Sequence, residues 1–382
     1  MLKCASVYTY EIDDPEIALN EIKTQLDEKI SLLEHTVGII MCHTEFIGTG
    51  VLKHICDSLP FDLAGVTTSS QAVNDEIGEM ILTIFIITSD DVWFIAGIAD
   101  DVSGDVDGPV KTAYGKFAAD EKPKMAIVFP PFGIHAGDEY LRAWRNIIPD
   151  TPVFGTCAID DTADFSECDT IYNGINNKFA MPFVLCYGNI NPRFMVATLS
   201  DNAVSSKGDI TKAAGNCVFE INNDVALKYF EDGGYTQIAK FSPFKIDFLK
   251  REDYDGIPVI RGHAAFTDEG AAIFYGDVDE GSTLTILACN PDDILITTKQ
   301  ALKQINELLD VKGTILFPCV VRRATLLGAQ KPLAELQCIK NTMNSDIPFM
   351  AGYSGGEICP TSVKNGMPTN RFHNYSLVIC IL

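Results

Sequence analysis

The chain has 382 residues, 47% of them hydrophobic, and its 52 acidic side chains against 29 basic ones give a formal net charge of −23. That length favours two domains over one compact core, and the hydrophobic share excludes wholesale disorder. The charge repels phosphate backbones and anionic lipid, so neither nucleic acid nor a membrane surface is expected as a partner. The opening Met1-Leu2-Lys3-Cys4 does not read as a secretory leader, and no apolar run reaches the length of a membrane span, so a cytoplasmic protein is expected. Its 12 cysteines stand singly, many in apolar runs such as Ile40-Met41-Cys42 and Ile379-Cys380-Ile381. With no CxxC pair, they read as small buried hydrophobes in a reducing compartment, without disulfides or structural zinc.

Residues 4 to 10 alternate weakly and suit an edge strand. Asp13-Asp14-Pro15 then starts a helix, with an Asp as N-cap and Pro in the first turn, and Leu19, Ile22, Leu26, Ile30 and Leu33 give it one apolar face. A strand from Thr36 to Met41 follows, then a polar loop, a helix through Leu52 and Ile55 to Leu59, and a short apolar run into Gly65-Val66-Thr67-Thr68-Ser69. The same order returns as strand 125–129, loop 130–137, helix 140–148 and Val153-Phe154-Gly155-Thr156-Cys157. A third copy runs from Thr314-Ile315-Leu316-Phe317 through a helix with Leu336, Ile339 and Met343 on one face to Phe349-Met350-Ala351-Gly352-Tyr353-Ser354. These copies share pattern rather than identity and point to one α/β unit used repeatedly. A weaker echo links Ile81-Leu82-Thr83-Ile84 to Leu284-Thr285-Ile286-Leu287. Between the halves, Asn173-Gly174 is a hairpin signal, and a domain boundary is expected near 219–225. The expected fold class is α/β, with α+β as the alternative: two related domains, 1–222 and 223–382, each a mixed sheet flanked by helices.

The last seventy residues are the densest in polar groups. Pro318-Cys319-Val320-Val321-Arg322-Arg323 ends one buried strand and Gly352-Tyr353-Ser354-Gly355-Gly356-Glu357 ends another, while Phe372-His373-Asn374-Tyr375-Ser376 opens the last. The closely spaced glycines would let a backbone approach a ligand. Ligands in α/β sheets gather beyond the carboxyl ends of strands, so the loops at 65–70, 155–160, 319–323 and 352–357 are expected to meet.

These stretches resemble the FIST family, the F-box and intracellular signal transduction proteins, with N-terminal and C-terminal parts in tandem. The likeness is carried by Gly65-Val66-Thr67-Thr68-Ser69, Val153-Phe154-Gly155, Asn222-Asn223-Asp224-Val225-Ala226-Leu227, Val259-Ile260-Arg261, Cys319-Val320-Val321-Arg322, Ala351-Gly352-Tyr353-Ser354-Gly355-Gly356-Glu357 and His373-Asn374-Tyr375-Ser376. Arg323 stands where a small residue is common in the family, and Asn223 near a position that often carries Gly. The resemblance implies a sensory module for a small ligand, an amino acid or another small carboxylate. With no output domain in this chain, the signal would pass to a separate protein.

The candidate ligand-binding residues are Thr67, Thr68, Ser69, Gly155, Thr156, Arg261, Cys319, Arg322, Arg323, Gly352, Tyr353, Ser354, Glu357, His373 and Asn374. A planar guanidinium clamps a carboxylate with two hydrogen bonds, which singles out the arginines, although Arg322 could equally pair with Glu335 or Glu357 inside the fold. Cys319 beside arginines could act as a nucleophile or be a buried strand end. No catalytic residue and no metal ligand is assigned. No cofactor is expected; haem, with His373 or His135 as its axial ligand, is the alternative.

Overall fold

The computed structural model describes residues 1–162, 164–233, 243–248, 254, 256–364 and 367–382. Among these residues the strands form three mixed six-stranded sheets and one seven-stranded sheet. The three mixed sheets share one plan. In the first, strand Lys3–Thr9 leads into helix Pro15–Lys29, strand His35–Cys42, helix Val51–Ser58, strand Asp62–Thr67, a hairpin (Gln71–Val73, Ile77–Gly78) and strand Leu82–Ser89. The second repeats it with Val92–Ala99, helix Asp107–Phe117, Met125–Val128, helix Gly137–Ile147, Val153–Thr156, a hairpin (Thr170–Tyr172, Ile175–Asn177) and Met181–Gly188. The third has Arg193–Ala197, helix Pro291–Asn306, Thr314–Pro318, helices Val320–Gly328 and Ala334–Thr342, Phe349–Gly352, a hairpin (Glu357–Lys364, Met367–His373) and Leu377–Ile381. In every unit the two strands joined by the central helical crossover are parallel, and the strands on either side are antiparallel. The repeat read from the sequence is therefore present three times, as mixed sheets flanked by helices.

No unit keeps its own hairpin. The hairpin at 71–78 pairs with Phe349–Gly352 of the third unit, that at 170–177 with Asp62–Thr67 of the first, and that at 357–373 with Val153–Thr156 of the second. This cyclic exchange ties strands on both sides of residue 222 into shared sheets. The weaker echo is not an equivalence: Leu82–Ser89 closes the first sheet, whereas Thr283–Ile286 belongs to the barrel described next.

That barrel is inserted in the third unit, between Arg193–Ala197 and helix Pro291–Asn306. Its strands run in the order Gly208–Ala214, Thr283–Ile286, Pro243–Asp247, Val259–Phe266, Ala272–Phe274 and Cys217–Ile221, and the last pairs with the first. Phe230, Phe244 and Phe274 pack inside it.

Local chemistry explains these elements. The Asp14 carboxylate accepts from the Glu16 and Ile17 amides to cap the first helix, with Pro15 at its first position. Asn173 (φ 48°) and Gly174 (φ 77°) form the left-handed pair that a tight hairpin turn requires. At Gly65 a Cβ would lie 1.7 Å from the Ile40 carbonyl oxygen, and at Gly155 1.9 Å from that of Val128, so the same close strand approach demands glycine in two units. One face of each sheet turns to a common core that includes Ile39 and Phe85, Ile127 and Val184, and Phe317 and Val378.

Candidate functional site

The loops expected to meet do meet. The Thr68 hydroxyl donates to the Tyr353 carbonyl (2.7 Å), the Ile159 amide to Thr67 (3.1 Å), the Cys157 amide to Gly356 (3.0 Å) and the Tyr353 amide to Ser70 (3.2 Å). All three units thus contribute a strand end to one junction. At its centre Ser354 Oγ donates to Glu357 Oε1 (2.8 Å), and Cys319 forms a parallel bridge with Ser354. Glu357 Oε2 has no well-formed hydrogen bond, while Ser354, the Cys319 thiol and the Ser376 amide each favour the ionised carboxylate. Thr67 exchanges hydrogen bonds with the main chain of Asp169, Thr156 pairs with Glu357 in the sheet, and Ser69 Oγ is buried without a partner.

This centre is buried, and burial disfavours charge on it. Glu357 is completely buried, and burial holds its carboxyl well above the ordinary 4.5 despite hydrogen bonds that pull the other way. Burial, reinforced by Glu357, likewise pushes the Cys319 thiol well up. Cys319 therefore stays a thiol at neutral pH rather than an activated thiolate. Because Glu357 is raised, its contribution to stability is full below 4.5 and is lost as pH rises toward its folded value. Glu357→Gln, neutral at every pH, is expected to gain on the natural chain between pH 5 and pH 8 by at least about 2 °C in melting temperature, roughly 1 kcal/mol in a chain of this size. Equal offsets at the two pH values, followed by circular dichroism, would refute this.

Adjacent arginines point to different places. Arg322 is fully buried: Nε and Nη2 donate to Glu335 Oε1 (2.9 and 2.7 Å), Nη2 also to Thr298 Oγ1 (2.8 Å) and the Ile294 carbonyl, and Nη1 to the Tyr375 carbonyl. The internal pair with Glu335 is the arrangement found. Tyr353 projects to the same region; its hydroxyl feels Glu335 but makes no well-formed hydrogen bond. Arg323 is only partly buried and reaches Ser70 Oγ (3.0 Å) and the exposed Glu79 (2.8 Å).

Arg261, His373 and Asn374 lie where the barrel meets the sheets. Arg261 donates to Asp138 (3.1 Å), Tyr254 (2.7 Å) and the carbonyls of Phe372 and Asp277. Asn374 Oδ1 accepts from the Gly262 amide (3.0 Å). His373 is buried with Nε2 against the Cys359 carbonyl, and burial lowers its pKa to about 3. His135 uses Nε2 on the Val102 carbonyl (2.7 Å) and Nδ1 on Glu139 (3.1 Å). A haem iron would have to displace these partners.

The glycine-rich loop is closely packed. The space beside Gly352, Gly355 and Gly356 is filled by this chain: a Cβ would meet Met41 Sδ at 2.5 Å, the Phe132 ring at 2.6 Å and the Phe372 ring at 2.3 Å respectively. These glycines make room for the chain's own side chains. Sequence reading missed Ser70, Glu79, Asp138 and Asp169, which take their places by pairing across more than 80 residues of chain, and the ring contacts of Phe132 with Phe165 and Tyr275. Phe165 alone carries a local sign, a left-handed φ of 55° that costs a bulky residue about 1–3 kcal/mol.

A barrel inserted into exchanged α/β sheets, with both halves of the chain meeting at a buried polar junction, describes a tandem two-part module. The FIST N domain matches residues 36–224 and the FIST C domain 226–360. The chain belongs to the FIST family, whose domains are associated with sensing in signal transduction. No curated protein matches it. Among the described residues no helix is long and apolar enough to cross a membrane, and no cluster of His, Cys, Asp or Glu could hold a metal ion.

Proposed function

We propose that the protein is a sensor that binds a small molecule, an amino acid or another small carboxylate, at the junction of the strand-end loops and passes the signal to a separate output protein. The observation that carries this reading is the convergence of loops from both family domains on one polar centre. Among Arg261, Arg322 and Arg323, the last is the best suited to a carboxylate. Its pair with Glu79, half exposed on the acid's side, is worth only about 0–1 kcal/mol, so a ligand can take Glu79's place, whereas the other two would have to abandon buried partners.

A thermal-shift screen of amino acids and small carboxylates tests this, since a ligand bound only by the folded chain at a hundred times its Kd adds about 2.7 kcal/mol. Arg323→Ala is expected to weaken such binding at least about tenfold, or roughly 1.4 kcal/mol, with an unchanged circular dichroism spectrum. A screen with no shift, or a variant that binds as before, would overturn the reading.

A further inference from the structure

We propose that the rings of Phe132, Phe165 and Tyr275 form a displaceable cover over the Cys319–Ser354–Glu357 centre, and that a small molecule reaches the centre by parting them. This assigns an access route to the site proposed above and rests on that reading for its purpose, though not for its test.

The three rings come from separate segments: the loop after Met125–Val128, the loop after Val153–Thr156, and the residue after barrel strand Ala272–Phe274. Phe132 stands edge-on to Phe165, with centroids 5.3 Å apart, and tilted against Tyr275 at 5.8 Å. The cover rests directly on the junction, because Phe132 occupies the space where a side chain at Gly355 would be. Burial, with Cys319 nearby, holds the Tyr275 phenol above its ordinary pKa. The layers differ sharply in exposure: Tyr275 is 37% exposed, with Phe132 and Phe165 partly buried, while Cys319 is 2% exposed and Ser354 and Glu357 are completely buried.

Nothing covalent or hydrogen-bonded joins the rings themselves. The cover is held by edge and face contacts between aromatic groups, each a weak interaction, and Phe165 is kept in its left-handed conformation against its own backbone preference. Two of the rings belong to the part matched by the FIST N domain and the third to the part matched by the FIST C domain. The cover thus spans both halves of the family pair, so that its parting is felt by segments of each.

The test needs no ligand. The full chain is treated with N-ethylmaleimide, and modification of each cysteine is followed by peptide mass spectrometry, because labelling of a buried thiol tracks local opening. Phe132→Ala, and independently Phe165→Gly, which also relieves the positive φ, are expected to speed modification of Cys319 about tenfold. Cys186 and Cys380, in the central core, should label no faster than in the natural chain. Tyr275→Ala serves as a third variant if either of the others fails to fold. An unchanged Cys319 rate in the folded variants overturns the proposal, as does a rise that Cys186 and Cys380 share, which would mean general loosening. A failed ligand screen with selective Cys319 labelling would refute the ligand assignment and leave the cover intact.

Discussion

A chain ending at residue 222 is expected not to fold, even though it contains every strand of the first sheet. The hairpin at 71–78 would lose Phe349–Gly352, its one sheet neighbour outside the hairpin among the described residues, and Val153–Thr156 would lose Glu357–Lys364. The barrel would retain Gly208–Ala214 and Cys217–Ile221 without the strands that close it. The central core would be stripped of Ile315, Phe317, Met350, Val378 and Leu382, leaving Ile39, Phe85, Ile127 and Val184 facing water. At about 1.5–3 kcal/mol for each large apolar side chain exposed, the loss rivals the roughly 5–15 kcal/mol that holds a whole domain together. The fragment should bind a hydrophobic dye and melt without a cooperative transition, and co-expression with residues 223–382 should restore the transition. A cooperative melt of the fragment alone, near the full chain's temperature, would show that the hairpin exchange contributes little.

The triplicate unit was legible because each copy is written in local chemistry: a buried apolar run, a polar loop, a helix with one apolar face, a short strand ending in glycine. The hairpin exchange was not. Gln71 lies opposite Gly352 through main-chain pairing, and nothing in either segment names its partner. The barrel left only scattered β-type runs, so its closure was equally invisible. The polar loops were rightly expected to converge, yet whether convergence makes an open pocket or a packed centre depends on what fills the space. Here Phe132 and Phe372 fill it, arriving from elsewhere in the chain to stand beside Gly355 and Gly356. Arg322 and Arg323 show the same limit at one residue's separation. Successive positions on a helix point about 100° apart, so one arginine is buried on Glu335 and the other emerges beside Ser70. The choice between them was set by where helix Val320–Gly328 docks.

That difference makes Arg322→Ala the point substitution with the largest expected effect. The guanidinium is completely buried and its counter-ion Glu335 is buried with it. Removing the arginine leaves Glu335 Oε1 with only the Thr298 hydroxyl (2.7 Å) and Oε2 with no well-formed partner. The carbonyls of Ile294 and Tyr375, from two separate segments, would lose the donors that Arg322 supplies. Breaking a buried pair from one side costs about 3–5 kcal/mol because the remaining charge is stranded, so Arg322→Ala should lower the urea midpoint severely or prevent folding. Arg323→Ala, which gives up a pair half exposed on the Glu79 side, should cost no more than about 1 kcal/mol. Replacing both members of the buried pair by apolar residues, Arg322→Met with Glu335→Leu, should recover much of the loss, since a buried ion pair is often no better than a well-packed apolar one. Urea titrations of the three variants, compared at equal slope, decide the matter. If Arg322→Ala folds with a loss below about 1 kcal/mol and abolishes binding of a carboxylate that Arg323→Ala still binds, the clamp lies on Arg322, and its contacts with Glu335 are those of a site closed on itself.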